Sequence, residues 1–267
     1  MTTETLTDNQ ILSKKNGAVG HLIFNNPEKH NAFSLEMSMA AAEVMDDFLA
    51  DKAIRVIVLS GAGTKAFVSG GDISKFEKQR ATKEDVASYT KKGERFRHLL
   101  KGSAKPTIAM IRGYCLGGGM AIALNCDIRI CTEESSFGIP AAKLGIGYAA
   151  ERLGQLIELV GPAAAKDILF TGRRVPATEA LRLGIVNYML AANELKAFVE
   201  NYANTIAANA PLSIIASKRV IDEYVKDADE RDNALTNKVV ADCFASQDYV
   251  EGRRAFMEKR KANFTGS

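Results

Sequence analysis

The sequence is poor in the runs and residues that mark several large protein classes. None of its 267 residues belong to an apolar run near the ~18 that a membrane span needs. The first ten residues, MTTETLTDNQ, are polar and acidic, so no signal peptide is expected. The four cysteines (Cys115, Cys126, Cys131, Cys243) form no C-x-x-C pair. Lying mostly in apolar runs, they are expected to be buried free thiols of a reducing, cytoplasmic protein, not a disulfide or zinc framework. His21, His30 and His98 lack metal-ligand spacing, and no metal site is expected. Charge of one sign is missing too: 35 basic and 32 acidic residues leave +3, too balanced to point to nucleic acid. What remains is an ordinary globular composition, 46% hydrophobic and 25% charged, in a chain long enough for one large domain or a domain with an appendage.

Apolar patterning divides the chain in two. Over the first ~190 residues, short β-rich runs alternate with helical stretches. Residues 11–12, 19–24, 54–59, 107–111 and 128–131 are expected strands. Ser34 reads as the N-cap of an amphipathic helix with Leu35, Met39, Ala42, Met45 and Leu49 inward. A charged helix over 84–100 is expected to bury Val86, Tyr89, Phe96 and Leu100, and a short apolar helix covers 120–124. Strand, strand and helix recur at roughly fifty residues, which suggests stacked turns rather than an open sheet. After residue 192 the strands stop. Helical periodicity then covers 192–209, 212–226, 230–245 and 249–259, with Asn193 and Ser246 near helix starts. The expected organisation is an α/β core over 1–191 and a helical tail over 192–267.

Two glycine-rich turns follow apolar strands. The first, SGAGTKAFVSGGDI from Ser60, contains G-x-G-x-x-A, yet no helix follows its glycines as a dinucleotide site requires. Neither turn ends in the G-K-[ST] of a phosphate-binding loop. In the second, Gly117, Gly118 and Gly119 lead into an apolar helix, where unblocked N–H groups favour developing negative charge. The small-residue loop Ser69-Gly70-Gly71-Asp72 occupies a comparable position. Two such loops can give one N–H each to a single oxyanion, the arrangement that thioester enolate chemistry needs.

Longer motifs carry a family resemblance over nearly the whole chain. They are NNPEKHNAFS at 25–34, AFVSGGDI at 66–73, KPTIAMIRGYCLGGGMAIALNCDIRI at 105–130, SFGIPAAKLGIG at 136–147, TGRRVPATEALRLGIVN at 171–187 and QDYVEGRRAFMEKRKANF at 247–264. In these the chain resembles the enoyl-CoA hydratase/isomerase, or crotonase, superfamily. The resemblance implies a ββα spiral core with a C-terminal helical region that forms trimers, often paired as hexamers. It implies an acyl-CoA substrate and no cofactor beyond that coenzyme A. The oxyanion donors would be the N–H groups of Ser69 and Gly118. Lys29, Ala32, Ser69, Gly71, Asp72, Ile73 and Gly117 would line the CoA site, with Phe256 and Lys259, and Lys261 beside it, reaching it from a neighbouring subunit.

The same comparison exposes two departures. A hydratase of this family holds water between two glutamates, one two residues after the glycine triplet and one after the proline of F-G-x-P. Those positions are Ala121 and Ala141 here. Alanine can neither deliver a proton nor activate water. Tyr148 and Glu151 are the candidate replacements, one helical turn apart. Tyr148 resembles the active-site tyrosine of methylmalonyl-CoA decarboxylase, whose loop also reads L-G-x-x-Y. Loss of CO₂ from a malonyl-type thioester makes an enolate without a base and suits what is left. The alternatives are hydration or isomerisation through a relocated group such as Glu151, and an acyl-CoA-binding protein without turnover. RNA binding is a further class that the near-neutral charge disfavours.

Overall fold

The structure is a computed structural model and describes residues 3–7, 10–72 and 82–267. It is a mixed α/β fold built from two sheets and the helices that cover them. In the larger sheet β1 (Thr3–Thr7), β2 (Ile11–Asn16) and β3 (Val19–Phe24) form an antiparallel meander. From β3 the sheet continues in parallel through β4 (Val56–Gly61), β6 (Thr107–Ile111), β8 (Ile128–Thr132) and β11 (Tyr188–Leu190). The smaller sheet holds β5 (Ala66–Val68), β7 (Tyr114–Leu116) and β9 (Ser136–Gly138) in parallel, with β10 (Val175–Pro176) antiparallel at one edge.

The chain visits the two sheets alternately, then crosses back through a helix. β4 and β5 precede α2 (Lys83–Lys101), β6 and β7 precede α3 (Gly118–Leu124), and β8 and β9 precede α4 (Ala150–Thr171). These are the repeating ββα turns expected from the sequence. The three-residue strands of the smaller sheet went unnoticed there, because three residues are too few to display a period of two.

Burial explains the strand sequences. Val56 and Val58 of β4 face one way and Ile57 and Leu59 the other, and all four are buried. The first pair packs with Ile108 and Ile130 under Leu195, Val199 and Ala203 of α6 (Leu195–Ala207). The second pair joins the main core, where Phe24 meets Phe33, Phe67 and Phe96 edge-on at 5.6, 5.4 and 6.4 Å. A parallel strand covered on both faces reads as a continuous apolar run, as IRVIVL does.

The helices correct several sequence expectations. In α1 (Leu35–Ala50) the Ser34 hydroxyl accepts from the Met37 N–H, so the cap is as expected. Ala42 and Met45 are buried as expected, but the rest of the buried stripe is Met37, Ala41, Val44 and Phe48, while Met39 is exposed and Leu35 and Leu49 only half-buried. The buried face is thus centred slightly to one side of the expected one on the 3.6-residue turn and shares Ala42 and Met45 with it. In α2, Phe96 and Leu100 are buried as expected; the side chains of Val86 and Tyr89 lie outside the described residues. Helix α4 breaks at Gly161, whose φ of 73° precedes Pro162. Proline lacks an N–H and disfavours helical backbone in the residue before it.

A short helix α5 (Ala177–Arg182) leads to β11, and beyond β11 the chain is helical. The first of these later helices, α6, covers the large sheet; Asn193 lies just before its start, and Glu194 at the N-cap makes no side-chain cap bond. Then follow α7 (Pro211–Tyr224), α8 (Asn233–Ala245) and α9 (Gln247–Met257). Ser246 does cap α9, accepting from the Tyr249 N–H. Helix α8 buries none of its side chains, and Ile221, Tyr224, Phe244 and Phe256 are exposed. Among the described residues no helix is long and apolar enough to cross a membrane.

Cys115, Cys126 and Cys131 are buried and free. Burial pushes the thiols of Cys126 and Cys131 up to about 12 and that of Cys115 well above its ordinary value. Only the thiolate reacts. A thiol reagent at pH 8 should therefore leave these three unmodified in the native protein and label them after unfolding in guanidinium, as read by mass spectrometry. Fast native labelling of any of the three would contradict this packing.

Candidate active site

The motif at 25–34 works first as a brace. Pro27–Lys29 form a 3-10 turn, and His30 and Asn31 follow with φ of 52° and 56°. Asn31 is fully buried; its Oδ1 accepts from the Asn26 N–H, and its Nδ2 donates to the carbonyls of Ala62 and Ala66. That fixes the turn against the start of β5. Just beyond β5, the Ser69 N–H donates to the His30 carbonyl at 3.1 Å. The Phe33 N–H donates to Gly70, and the Asp72 N–H to Phe33.

These bonds correct one assignment. The Ser69 amide is committed to His30 and cannot serve an oxyanion. The Phe33–Gly71 bridge uses the polar groups of Gly70 and Asp72 and leaves the Gly71 N–H without a recorded acceptor among the described residues. Gly118 is the first residue of α3, where an N–H has no partner within the helix. A side chain on Gly118 would come 3.6 Å from the Gly71 nitrogen, so the two amides are neighbours. Sequence order could have found Gly71 only by knowing that strand-like pairing turns alternate amides to opposite sides.

Close backbone approach makes this possible. A Cβ on Gly119 would lie 2.1 Å from the Val68 carbonyl oxygen, so α3 rests directly on β5. Gly117, at φ 52°, donates its N–H to the Gly138 carbonyl and turns the chain into α3.

Two cavities meet at the amide pair. The larger, about 370 Å³, is lined by Ser69, Gly71, Gly117, Gly118, Ala141 and Tyr148, with Glu151 at its exposed side. The smaller, about 130 Å³, is mostly apolar, with Phe33, Leu35, Phe96, Leu100 and Ile122 in its wall. Gly71, Gly118, Glu94, Arg97 and Arg152 line both. Ala121 faces the smaller cavity and Ala141 the larger, so neither chamber has a carboxylate at those positions.

The structure thus brings together Ser69, Gly71, Gly117, Gly118, Tyr148 and Glu151. Lys29 lies beside the loop, with its ammonium 3.5 Å from the buried Asp72 carboxylate; neither it nor Ala32 lines either cavity. Ile73 lies outside the described residues. Phe256 lines a separate groove with Phe244, Tyr249 and Phe264, and Lys259 follows α9 on the surface; within one chain neither joins the two cavities. Glu94 and Arg97 escaped the sequence reading. Their signal was available: Gly93, Phe96, Arg97 and Leu100 share the inward face of α2, where a charged residue is out of place. Among the described residues no group of three or more histidine, cysteine, aspartate or glutamate side chains could hold a metal ion.

Comparison with known proteins agrees with the motifs. The family model described as Enoyl-CoA hydratase/isomerase matches residues 14–267. A relative named short-chain-enoyl-CoA hydratase from Clostridium acetobutylicum is 32% identical over 95% of this chain and 96% of its own length. A carnitinyl-CoA dehydratase from Proteus mirabilis is 34% identical over 94% of this chain and 96% of its own. A crystal structure described as an enoyl-CoA hydratase/carnithine racemase from Magnetospirillum magneticum superposes with a TM-score of 0.94 at 33% identity, covering 99% of this chain and 97% of the other.

The Asn31 brace predicts a measurable cost. Asn31→Ala leaves the carbonyls of Ala62 and Ala66 and the Asn26 N–H without their partners in a buried setting. Unfolding in urea should show a loss of about 2–4 kcal/mol. A loss under ~0.5 kcal/mol, the usual size for an exposed substitution, would mean the loop is held by other contacts.

Proposed function

Because the chain belongs to the enoyl-CoA hydratase/isomerase family, we propose that it binds an acyl-CoA and stabilises the thioester enolate between the N–H groups of Gly71 and Gly118. The observation that carries this reading is the pair of neighbouring amides, without acceptors among the described residues, where the two cavities meet. The thioester oxygen accepts from both, and each donor is worth on the order of 3 kcal/mol as negative charge develops.

The reaction best matched to the remaining residues is loss of CO₂ from a malonyl-type thioester. The bond between Cα and the carboxylate breaks, its electron pair enters the enolate, and CO₂ departs. A proton then returns to Cα from the Tyr148 hydroxyl, which recovers one from water. No base is needed, which suits a site with Ala121 and Ala141, and no cofactor enters beyond the substrate's own CoA. Tyr148 is half-buried and lines the larger cavity. A second reading, hydration or isomerisation, is favoured by one observation: Glu151 opens onto the same cavity and no ion pair is recorded for it among the described residues.

In this proposal residues 1–191 bind the acyl-CoA and 192–267 serve assembly, although α6 also completes the core. The exposed apolar side chains of α7 to α9 support a trimer or hexamer, in which Phe256 and Lys259 reach a neighbour's CoA. The buried free thiols support a cytoplasmic setting.

Three measurements test this. Gly118→Pro removes one donor at a helix position that tolerates proline; turnover should fall about 10²–10³-fold, and unchanged turnover would refute the amide assignment. Malonyl- and methylmalonyl-CoA should lose CO₂ in a Tyr148-dependent manner, while crotonyl-CoA hydrates very slowly, each lost acid–base group being worth about 10²–10⁴-fold. Fast crotonyl-CoA hydration abolished by Glu151→Gln and indifferent to Tyr148→Phe would establish the second reading instead. Sedimentation at micromolar concentration should give a trimer or hexamer; a stable monomer would remove the assembly role.

A further inference from the structure

A further cavity of about 260 Å³ lies away from the amide pair. It sits where Ile54 and Arg55 lead into β4 and where Lys105 and Pro106 lead into β6. Pro211, Leu212 and Ile215 of α7 form part of its wall, and Thr265 and Gly266 of the C-terminal segment form another part. It shares no lining residue with the two cavities at the amides.

Its wall is mostly apolar, and all its charge is of one sign. Lys52, Arg55 and Lys105 line it, and no acidic residue does. Hydrogen bonds place the cationic ends of two of them at the wall. Lys105 Nζ donates to the carbonyls of Phe48 and Asp51, the chain neighbours of the lining residues Leu49 and Lys52. Arg55 donates from Nη1 to the Ala207 carbonyl at 3.0 Å and from Nη2 to the Phe264 carbonyl at 2.6 Å, beside the lining residues Ile206 and Thr265. An ammonium has a third donor and a guanidinium has five, so both groups keep donors to spare. Among the described residues none of the three cations forms an ion pair, and the Asp47 and Asp51 carboxylates near Lys105 are held by Lys15 at 2.8 and 2.9 Å. Lys105 and Arg55 are half-buried, and burial lowers the pKa of Lys105 from its ordinary value. Cations withdrawn from water are normally paired, so the charge here is under-compensated.

That combination narrows what can bind. A neutral apolar molecule would leave the cations as they are, and a bare inorganic anion would leave the apolar wall in water. An aliphatic chain ending in a carboxylate answers both, because the head accepts charge-assisted hydrogen bonds while the tail lies on Leu49, Leu212 and Ile215. The volume is that of roughly nine water molecules, room for a chain of about six to eight carbons. We propose that this cavity binds a free medium-chain aliphatic carboxylate, its head at Lys105 and Arg55 and its chain on the apolar wall. The site is separate from the amide pair and stands independently of the acyl-CoA reading. An occupant would touch the core, α7 and the C-terminal segment at once. That segment is itself strapped to α9, where the Asp248 carboxylate accepts from the Thr265 and Gly266 N–H groups at 2.7 and 2.9 Å.

Calorimetric titration of the full chain with octanoate and with 1-octanol tests the inference. Octanoate should bind about tenfold or more tightly than the alcohol, since hydrogen bonds to charged groups are the stronger ones. Its affinity should fall about tenfold in Lys105→Met, with circular dichroism confirming the fold. Lys52→Glu changes an exposed side chain that makes no hydrogen bond among the described residues, and should also weaken octanoate by placing a like charge at the mouth. A fatty acid carrying a photoreactive diazirine locates the site: cross-links mapped by mass spectrometry should fall within residues 49–55 or 206–215. Cross-links confined to Phe96, Leu100 or Ile122 would place the acid in the cavity beside the amides and overturn the inference. Absence of octanoate binding, or equal affinity for octanoate and octanol, would overturn it as well. The wild-type comparison and the cross-link map stand whether or not Lys105→Met folds, and none of these outcomes bears on Gly71 and Gly118.

Discussion

Everything at the candidate site depends on how closely α3 approaches β5. The Gly119 backbone lies against the Val68 carbonyl, nearer than any side chain would allow. That contact brings the Gly118 amide beside Gly71 and makes the junction of the two cavities. It also explains the glycine triplet by two separate needs: a positive φ at Gly117 to turn the chain, and the absence of a Cβ at Gly119. Gly118, between them, has room for a Cβ. Its contribution is its N–H.

The approach holds because each partner is braced from behind. On the β5 side, Asn31 ties the 26–31 turn to Ala62 and Ala66, and the bridge at Phe33 carries that rigidity to Gly71. On the α3 side, the buried Arg129 guanidinium donates to the carbonyls of Cys126 and Ile185 at 2.6 and 2.7 Å, anchoring the turn after the helix. Burial lowers the pKa of Arg129 from its ordinary value, but a guanidinium starts so far above neutral pH that it holds the backbone as a cation. Amides positioned in this way need no reorganisation when charge develops, which is what makes backbone donors effective in a dry site.

A site whose main device is backbone has a particular freedom. Backbone N–H groups survive changes to every side chain around them, so acid–base residues can be lost or moved without dismantling the fold. Ala121 and Ala141 illustrate this: each sits in the wall of a cavity that remains formed without the carboxylate. The polar groups that line the cavities are instead Tyr148 and Glu151 at the larger one and Glu94, Arg97 and Arg152 at the junction. Charged residues on the inward face of α2 are costly to bury, and Glu94 and Arg97 line both cavities here.

By itself the sequence determined the ββα repeat, the family, the cap at Ser34, the two glycine turns and the absence of both glutamates. Each follows from order and residue type within a short window, and spacing of that kind is local. The tertiary structure alone decided which amide was free. Ser69 and Gly71 are two residues apart in one loop, and choosing between them required His30 and Phe33, some forty residues earlier, which claim one set of hydrogen bonds and leave the other. It alone also joined Arg97 of α2 to Asn125, the C-cap of α3, in one cavity, and separated Phe256 and Lys259 from it. Hydrogen-bond competition and cavity walls are contacts between distant segments, and a sequence records the segments without recording which of them meet.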